Sequence, residues 1–559
     1  MRIVHLSIKN FRGIRSLEWS PPPGVTCLVG RGDSGKTTIL DAIELALLPR
    51  NRVQLAHSDF NQGETAKPID IQVTTVEVPS RLYTDDKFGL EIRGWTREGA
   101  VRDEPEDEDT WALTVRLRID DTLEPDWRVV NRRNPDGRRI GPTDRAAIGA
   151  VRLGDATGRQ LSWVQGSSLT RVSDSPEEIG EALSEAHQGA WDAVEDLSFE
   201  GLSATAEKAG EWGMRYGSYA DLPLGVGLEP RSLNIGAGSL TLRQDNGVSA
   251  SALGTGSRRL MGLAIQRQAV GTAVVSLVDE VEAGLEPHRL RHVIRQLAES
   301  GHQALLVSHS PIAVAELGTR GLGIVRRGAN GEVEVTKPAD DLQGVVRAMP
   351  EAILGRKVVV CEGKTEAGMA QAFVRHWDSQ EASSLATTGT VIVPGEGHRA
   401  PQRAADLRSL GFECVYWADS DVPITPSLQA LQSMGVKTVV WGGETNTEQR
   451  LMADATEQLL EELWGIAVDE KGNQTICDQL YSAISATGRR PQDWEEWRTR
   501  YPLDSLRTAL GSAASNGEWY KTITAGELVG GAVVKALPQL AGTNLAETLD
   551  KLRNFAYRD

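Results

Sequence analysis

The richest chemistry in the chain lies in Gly30-Arg31-Gly32-Asp33-Ser34-Gly35-Lys36-Thr37, a complete G-x-x-x-x-G-K-[ST] spacing. Glycines let backbone N–H groups converge on phosphate oxygens, the lysine supplies a point charge for the β/γ phosphates, and the threonine hydroxyl can ligate Mg²⁺. Gly30, Gly32, Asp33, Ser34, Gly35, Lys36, Thr37 and Thr38 are therefore the expected ATP contacts. Much further on, the apolar run Val274-Val275-Ser276-Leu277-Val278 ends in Asp279-Glu280. A buried strand ending there places Asp279 to hold the Mg²⁺ bound through Thr37, and Glu280 to orient an attacking water. A second set of acids follows: Lys357-Val358-Val359-Val360-Cys361 delivers Glu362 and Glu366, and Cys414-Val415-Tyr416-Trp417-Ala418 ends in Asp419-Ser420-Asp421. Carboxylates at neighbouring strand ends can share Mg²⁺ or Mn²⁺, and two such ions clamp the attacking and leaving oxygens of a phosphodiester.

The elements that must position these groups are legible in outline. Val25-Thr26-Cys27-Leu28-Val29 reads as a buried strand before the phosphate loop, and residues 38–46 have helical spacing of apolar positions. Ahead of them, residues 3–19 read as two strands around a turn at Phe11-Arg12-Gly13, stopped by Pro21-Pro22-Pro23-Gly24. Residues 70–78 and 111–119 alternate as half-buried strands. Between them the acidic, proline-containing run 103–109 is expected to be a mobile loop. Residues 176–214 read as mainly helical, with Ile179, Leu183, Ala186, Ala190, Val194 and Leu197 on one side. Ala304-Leu305-Leu306-Val307 is a further buried strand, followed by Ser308-His309.

The bulk properties narrow the class. At 559 residues the chain has room for two or three domains. No apolar run approaches the roughly 20 residues that span a bilayer, and Met1-Arg2-Ile3-Val4-His5-Leu6 is an amphipathic strand rather than a leader, so a cytoplasmic protein without a membrane partner is expected. Cys27, Cys361, Cys414 and Cys477 form no C-x-x-C pair, which removes the usual zinc signature. A net charge of −17 argues against a protein that coats nucleic acid through general basicity. Local clusters at Arg132, Arg133, Arg138 and Arg139, at Arg258 and Arg259, and at Arg289, Arg291 and Arg295 keep a DNA-binding face open.

Beside the complete phosphate loop, Ile8-Lys9-Asn10-Phe11-Arg12-Gly13 resembles the start of ABC-type ATPases of the SMC and RecF kind. Leu253-Gly254-Thr255-Gly256-Ser257 then stands where that family has its Leu-Ser-Gly-Gly-Gln signature, with Ser257 and the Gly256 amide as the γ-phosphate donors. His309 looks like the switch histidine, and Glu286-Pro287-His288 like the loop coupling paired sites. In the family the signature of one subunit closes over the phosphate loop of another, so the resemblance implies a homodimer or higher homo-oligomer.

The second set of acids, with the turn Pro394-Gly395-Glu396-Gly397, resembles a Toprim domain, the metal-dependent core of topoisomerases, primases and some nucleases. An ABC-type head followed by Toprim is the architecture of the OLD (overcoming lysogenization defect) nuclease family, which includes the nuclease of the Gabija anti-phage system. The resemblance implies an α/β chain with an ABC-type ATPase domain over 1–345 and a Toprim nuclease domain over 346–559, with a helical insert over about 175–230 whose apolar stripe packs either on its own domain or on a second subunit as a dimerisation element. It assigns Glu362 to metal binding or acid–base work and Glu366, Asp419 and Asp421 to metal binding. A later acid is placed at Glu448, with Glu444 as its rival, and a lysine at Lys521. The implied activity is an ATP-binding, Mg²⁺- or Mn²⁺-dependent DNA endonuclease serving in phage defence or DNA processing, with a helicase-type partner by analogy. A RecF- or SMC-like DNA-binding ATPase with a non-catalytic Toprim module, and a Toprim ribonuclease acting on tRNA, are the alternatives.

Overall fold

The computed structural model describes residues 1–49, 53, 55–153, 161–163, 167, 169, 172–173, 200–218, 223–228, 240–269, 275–485 and 487–558. Two compact units divide the chain, Met1–Arg347 and Ala348–Asp559.

In the first unit, five strands run parallel in the order Ala150–Leu153, Val275–Val278, Ala304–Val307, Val25–Val29 and Leu322–Arg327, and Val333–Thr336 closes the far edge antiparallel. Every residue of Val25–Val29 is buried, as a strand covered on both faces requires. A second, antiparallel sheet of eight strands is built on Arg2–Phe11, which pairs with Ile14–Trp19 on one side and Ile69–Val76 on the other; Ile69–Val76 pairs onward with Thr110–Ile119. The helix Lys36–Leu47 joins the two sheets. Its Ile39, Leu40 and Ile43 share one core with Ile3, Ile71 and Leu113 of the antiparallel sheet and with Leu28 and Leu305 of the parallel one. The phosphate loop is thereby tied to a large apolar contact. Gln303 adds a polar tie, its side chain accepting from Ile3 N at 2.7 Å and donating to Ile3 O at 2.9 Å.

Several expectations change here. The acidic run 103–109 is held in place: Asp103 accepts from Arg132 N at 2.7 Å and faces Arg93 and Arg133 at 3.7 and 3.6 Å, Glu104 pairs with Arg133 at 3.2 Å, and Arg102 pairs with both Glu106 and Asp109. Arg93 and Arg102 stand on strands of the antiparallel sheet and Arg132 and Arg133 follow its strand Pro125–Val130, so arginines from other segments face the run's charge. Some members of the basic clusters have acidic partners. Arg139 pairs with Asp126, Arg289 with Glu286 and Arg295 with Glu316. Of the helical insert expected over 175–230, residues 174–199 lie outside the described residues, and Glu200–Arg215 is a helix. Leu224–Leu228, by contrast, is a strand paired antiparallel with Leu240–Gln244. Its Leu-Gly-Val-Gly-Leu sequence alternates with period two, which suits a strand and not a helix face.

The second unit is organised on a four-stranded parallel sheet in the order Thr390–Pro394, Lys357–Cys361, Glu413–Ala418 and Lys437–Val440. Its core gathers Phe373, Trp377, Trp417 and Trp441 with residues of the C-terminal helices such as Leu463, Leu510 and Val529. The helices Lys364–Asp378 and Ile523–Ala536 approach each other closely. A Cβ on Gly368 would lie 2.2 Å from Ile523 O, and one on Gly526 would lie 2.4 Å from Thr365 O. All four cysteines are buried and unbridged. Among the described residues, no helix is long and apolar enough to cross a membrane.

Candidate functional site

The phosphate loop is shaped by backbone that only small or specially placed residues tolerate. Gly30 has φ 139° and a Cβ there would meet Val325 O at 2.6 Å; Asp33 at φ 59° and Gly35 at φ 100° continue the left-handed turn. Such a turn aims successive N–H groups into one concavity. Gly32 and Asp33 are exposed at its rim, Ser34 is buried, and Thr38 is half-buried. The Lys36 ammonium folds back on the loop and donates to Gly30 O at 2.9 Å and Arg31 O at 2.7 Å. Burial holds its pKa below the ordinary lysine value, with Asp33, Cys27 and Asp279 acting in the opposite sense.

Thr37 and Asp279 are brought together across the intervening strand Ala304–Val307, with Thr37 Oγ1 donating to Asp279 Oδ1 at 3.3 Å. Two hard oxygen donors converging at the mouth of a phosphate loop suit Mg²⁺ bound with a nucleotide. Glu280 is exposed and strained at φ 45°, a conformation that non-glycine residues adopt at a cost of about 1–3 kcal/mol. His309 is exposed, and its backbone N donates to Glu282 at 2.6 Å while the buried Ser308 hydroxyl donates to the other Glu282 oxygen at 2.7 Å. Glu282, which sequence reasoning passed over, therefore buttons the loop after Asp279 to the histidine strand. Gly256 and Ser257 lie in the first turn of the helix Thr255–Ala269, and Gly256 packs so closely on Gly284 that a Cβ would meet Gly284 O at 2.3 Å.

Arginines missed as site residues surround Asp279. Arg259 from the Thr255–Ala269 helix donates to the Asp279 main-chain carbonyl. Arg152 donates to Asp279 Oδ2 at 2.7 Å, to Glu44 at 3.2 Å and to Asp41, which also pairs with Arg12. The one sequence sign for Arg152 was a charged residue inside the apolar strand Ala150-Val151-Arg152-Leu153.

In the second unit the acids gather at the carboxyl ends of the parallel strands. Glu362 Oε2 accepts from Asp419 N at 2.9 Å, and Glu366 Oε2 accepts from Gly363 N at 2.9 Å. Asp419 Oδ1 accepts from both the N and the hydroxyl of Thr447 at 2.8 Å, at the start of the helix Thr447–Asp454. Burial pushes the Asp419 carboxyl up to about 8, and the charges of Glu366 and Glu362 add to the effect. Glu362 is likewise raised by burial, then by Glu366 and Asp421.

Glu448 is fully buried, with the Lys521 ammonium 3.3 Å from Oε1 as its charged partner. Burial raises the Glu448 pKa against the pull of Lys521. Burial also works against the Lys521 charge, but Glu448 and Glu366 outweigh it and raise the lysine above its ordinary value. Lys521 is delivered by the glycine-packed helix pair, where Thr365 Oγ1 donates to Tyr520 O at 2.9 Å. The rival acid Glu444 is exposed. Asp421 is exposed too and is tied to Asn446 Nδ2 at 3.3 Å.

Among the described residues, no three or more His, Cys, Asp and Glu side chains stand in a ready metal-binding arrangement. One oxygen each of Glu362, Glu366 and Asp419 is held by a backbone donor, and like charges repel without a cation between them. The donor set nevertheless fits Mg²⁺ or Mn²⁺. It is all oxygen, and these buried, mutually repelling carboxylates have Lys521 as their shared positive neighbour.

Residues 1–110 match the family model described as an AAA ATPase domain, and residues 166–315 match one described as an AAA domain, putative AbiEii toxin, Type IV TA system. The DNA replication and repair protein RecF of Shewanella oneidensis is 24% identical over 370 residues, covering 56% of this chain and 94% of that protein. RecF of Shewanella sp. strain MR-4 is 24% identical over 374 residues, with the same coverage. Among solved structures, the SMC head domain from Thermotoga maritima aligns with a TM-score of 0.31 and 16% identity, covering 60% of this chain and 99% of that one. The recombination mediator protein RecF–ATPrS aligns with a TM-score of 0.36 and 12% identity over 60% of this chain and 98% of that one. The phosphate loop, the converging Thr37 and Asp279 and the matched families give one conclusion: the chain carries an ATP-binding, AAA/ABC-type ATPase head similar in sequence to RecF.

Proposed function

We propose that this ATPase head controls a divalent-metal-dependent endonuclease acting on DNA, of the OLD type, with the second unit as its Toprim nuclease domain. The observation that carries the reading is Glu448: a fully buried carboxylate whose charged hydrogen-bonding neighbour is Lys521, close enough to Glu366 and Asp419 for their charges to act on one another. A scaffold gains nothing from several acids whose mutual repulsion costs stability. Glu362, Glu366, Asp419 and Glu448 would hold Mg²⁺ or Mn²⁺, with Asp421 at the exposed rim. A cation bound there supplies Lewis-acid polarisation of a phosphodiester.

The chain's own groups do the rest. Thr447 fixes the Asp419 carboxylate through two donors, and the backbone N of Asp419 fixes Glu362. Glu362, with its raised proton affinity, is suited to take a proton from an attacking water. Lys521, held charged by its acidic neighbours, stabilises negative charge building on the phosphoryl oxygens. In the head, Glu280 would orient water, His309 would read the γ-phosphate, and Gly256 and Ser257 would close over the phosphate loop of a second copy, making the active form a homodimer or larger.

The test is incubation of the purified chain with supercoiled plasmid and with tRNA, each with and without ATP and with Mg²⁺, Mn²⁺ or EDTA. Metal-dependent nicking or cutting of plasmid that Glu362→Gln abolishes supports the reading. Cleavage of tRNA alone moves the substrate to RNA. ATP-dependent retention of DNA without cleavage favours a RecF-like DNA-binding ATPase, the reading toward which the RecF similarity leans.

A further inference from the structure

Asp279 is engaged at both carboxylate oxygens. Oδ1 faces the Thr37 hydroxyl at 3.3 Å, and Oδ2 accepts from Arg152 Nη2 at 2.7 Å. Arg152 is nearly buried, with 13% of its side chain exposed, in a strand that pairs residue by residue with the Asp279 strand, Arg152 opposite Leu277. Its other terminal nitrogen, Nη1, is anchored separately by Asp41 and Glu44, both on the helix that follows the phosphate loop. Arg259 meanwhile holds the Asp279 main-chain carbonyl from a different helix.

From this geometry we infer that Arg152 is an internal competitor for the Mg²⁺ site: it holds the Asp279 carboxylate until a Mg²⁺–nucleotide takes that carboxylate over. The exchange is local. Nη2 gives up one charge-assisted hydrogen bond while Nη1 keeps its two acids, and Arg259 keeps the Asp279 backbone still as the side chain changes partner. The guanidinium fork suits the role because its two ends serve different carboxylates at once, which an ammonium cannot reproduce. Mg²⁺ binding and release of Asp279 by Arg152 are then linked: whatever weakens the arginine's grip strengthens the metal's. Arg152 is a positioning residue in this scheme and touches no phosphate. The inference rests on the reading of the first unit as an ATP- and Mg²⁺-binding head.

The experiment titrates Mg²⁺ into the full chain with a fluorescent, non-hydrolysable ATP analogue, starting from EDTA, for wild type, R152Q and R152K, with thermal unfolding recorded for each. In R152Q the half-saturating Mg²⁺ concentration is expected to fall by about tenfold, the worth of one charge-assisted hydrogen bond no longer competing. R152K is expected to fall by less, since its ammonium still neutralises Asp41 and Glu44. An unchanged or higher half-saturating Mg²⁺ in folded R152Q overturns the inference, as does a lower unfolding temperature with no change in Mg²⁺ dependence, which marks a purely structural role. Should R152Q fail to fold, R152K decides by the same criterion. A wild-type chain with no Mg²⁺-dependent nucleotide binding overturns the ATP-site reading and the inference together, whereas normal wild-type binding with indifferent variants overturns the inference alone.

Discussion

The two charged sites of this protein balance their acids in opposite ways. Around the phosphate loop the acids have dedicated cations: Arg152 serves Asp41, Glu44 and Asp279, and Arg12 serves Asp41 and Asp59. At the strand ends of the second unit, Glu362, Glu366, Asp419 and Glu448 share one neighbouring lysine, Lys521, and three of these acids have raised proton affinity. In the first arrangement the acids are matched by arginines, and Arg152 is the one inferred to exchange partners with Mg²⁺. The second is short of positive charge and is relieved by whatever cation arrives. A site of the first kind is suited to control, and one of the second kind to metal-assisted chemistry.

This contrast can be broken at either end. The largest effect is expected for Asp419→Ala, which removes the acid clamped by Thr447: metal-dependent plasmid cleavage should fall by about 10³-fold or more, with nucleotide binding retained, read by agarose gel and by analogue fluorescence. Retained cleavage would remove Asp419 from the chemistry. Lys36→Ala should weaken ATP binding by roughly 10²-fold and erase any effect of nucleotide on cleavage, because Lys36 is the cation folded back into the loop, where it can make a charge-assisted contact with phosphate. Titration of the same analogue measures this, and an unaltered affinity would displace Lys36 from the site.

Smaller effects sharpen the comparison. Gly368→Ala puts a methyl 2.2 Å from Ile523 O, so it should destabilise the second unit by about 1–3 kcal/mol and shift Lys521 away from the acids. Denaturant unfolding followed by tryptophan fluorescence reads the loss, and an unchanged midpoint would show that the helix pair can spread freely. Glu448→Gln removes a buried charge that burial disfavours. In EDTA it should raise stability by about 1 kcal/mol, and it should shrink the extra stability that Mg²⁺ confers on the wild type. A loss of stability in EDTA would mean that the Lys521 pair outweighs the cost of burying Glu448.

The ATP site was legible in proportion to how local its parts are. Residues 30–37 are contiguous, and their glycine spacing encodes the backbone turn directly, so loop, strand and helix could be read together. Asp279 was legible as the end of an apolar strand. Arg152 was not, because its role depends on which strand lies beside Val275–Val278, a fact of sheet order with no local signature. The acidic run 103–109 shows the same gap from the other side: its composition predicts mobility, and the arginines that pair with it come from segments no local pattern connects to it.

In the second unit the sequence alone determined that two apolar strands end in acids, since a strand buried on both faces is visible as an unbroken apolar run. Glu444 and Glu448 could not be separated that way, being similar acids four positions apart. Tertiary structure separates their surroundings, burying Glu448 and leaving Glu444 in solvent. It also brings Lys521 to 3.3 Å from Glu448, a placement that depends on glycines in two helices distant in sequence meeting at van der Waals contact. Residue type and spacing determine which groups can do chemistry, because backbone geometry within a strand or turn is local. Which of them share a low-dielectric space is decided by packing, because burial and charge pairing join parts of the chain that no local pattern connects.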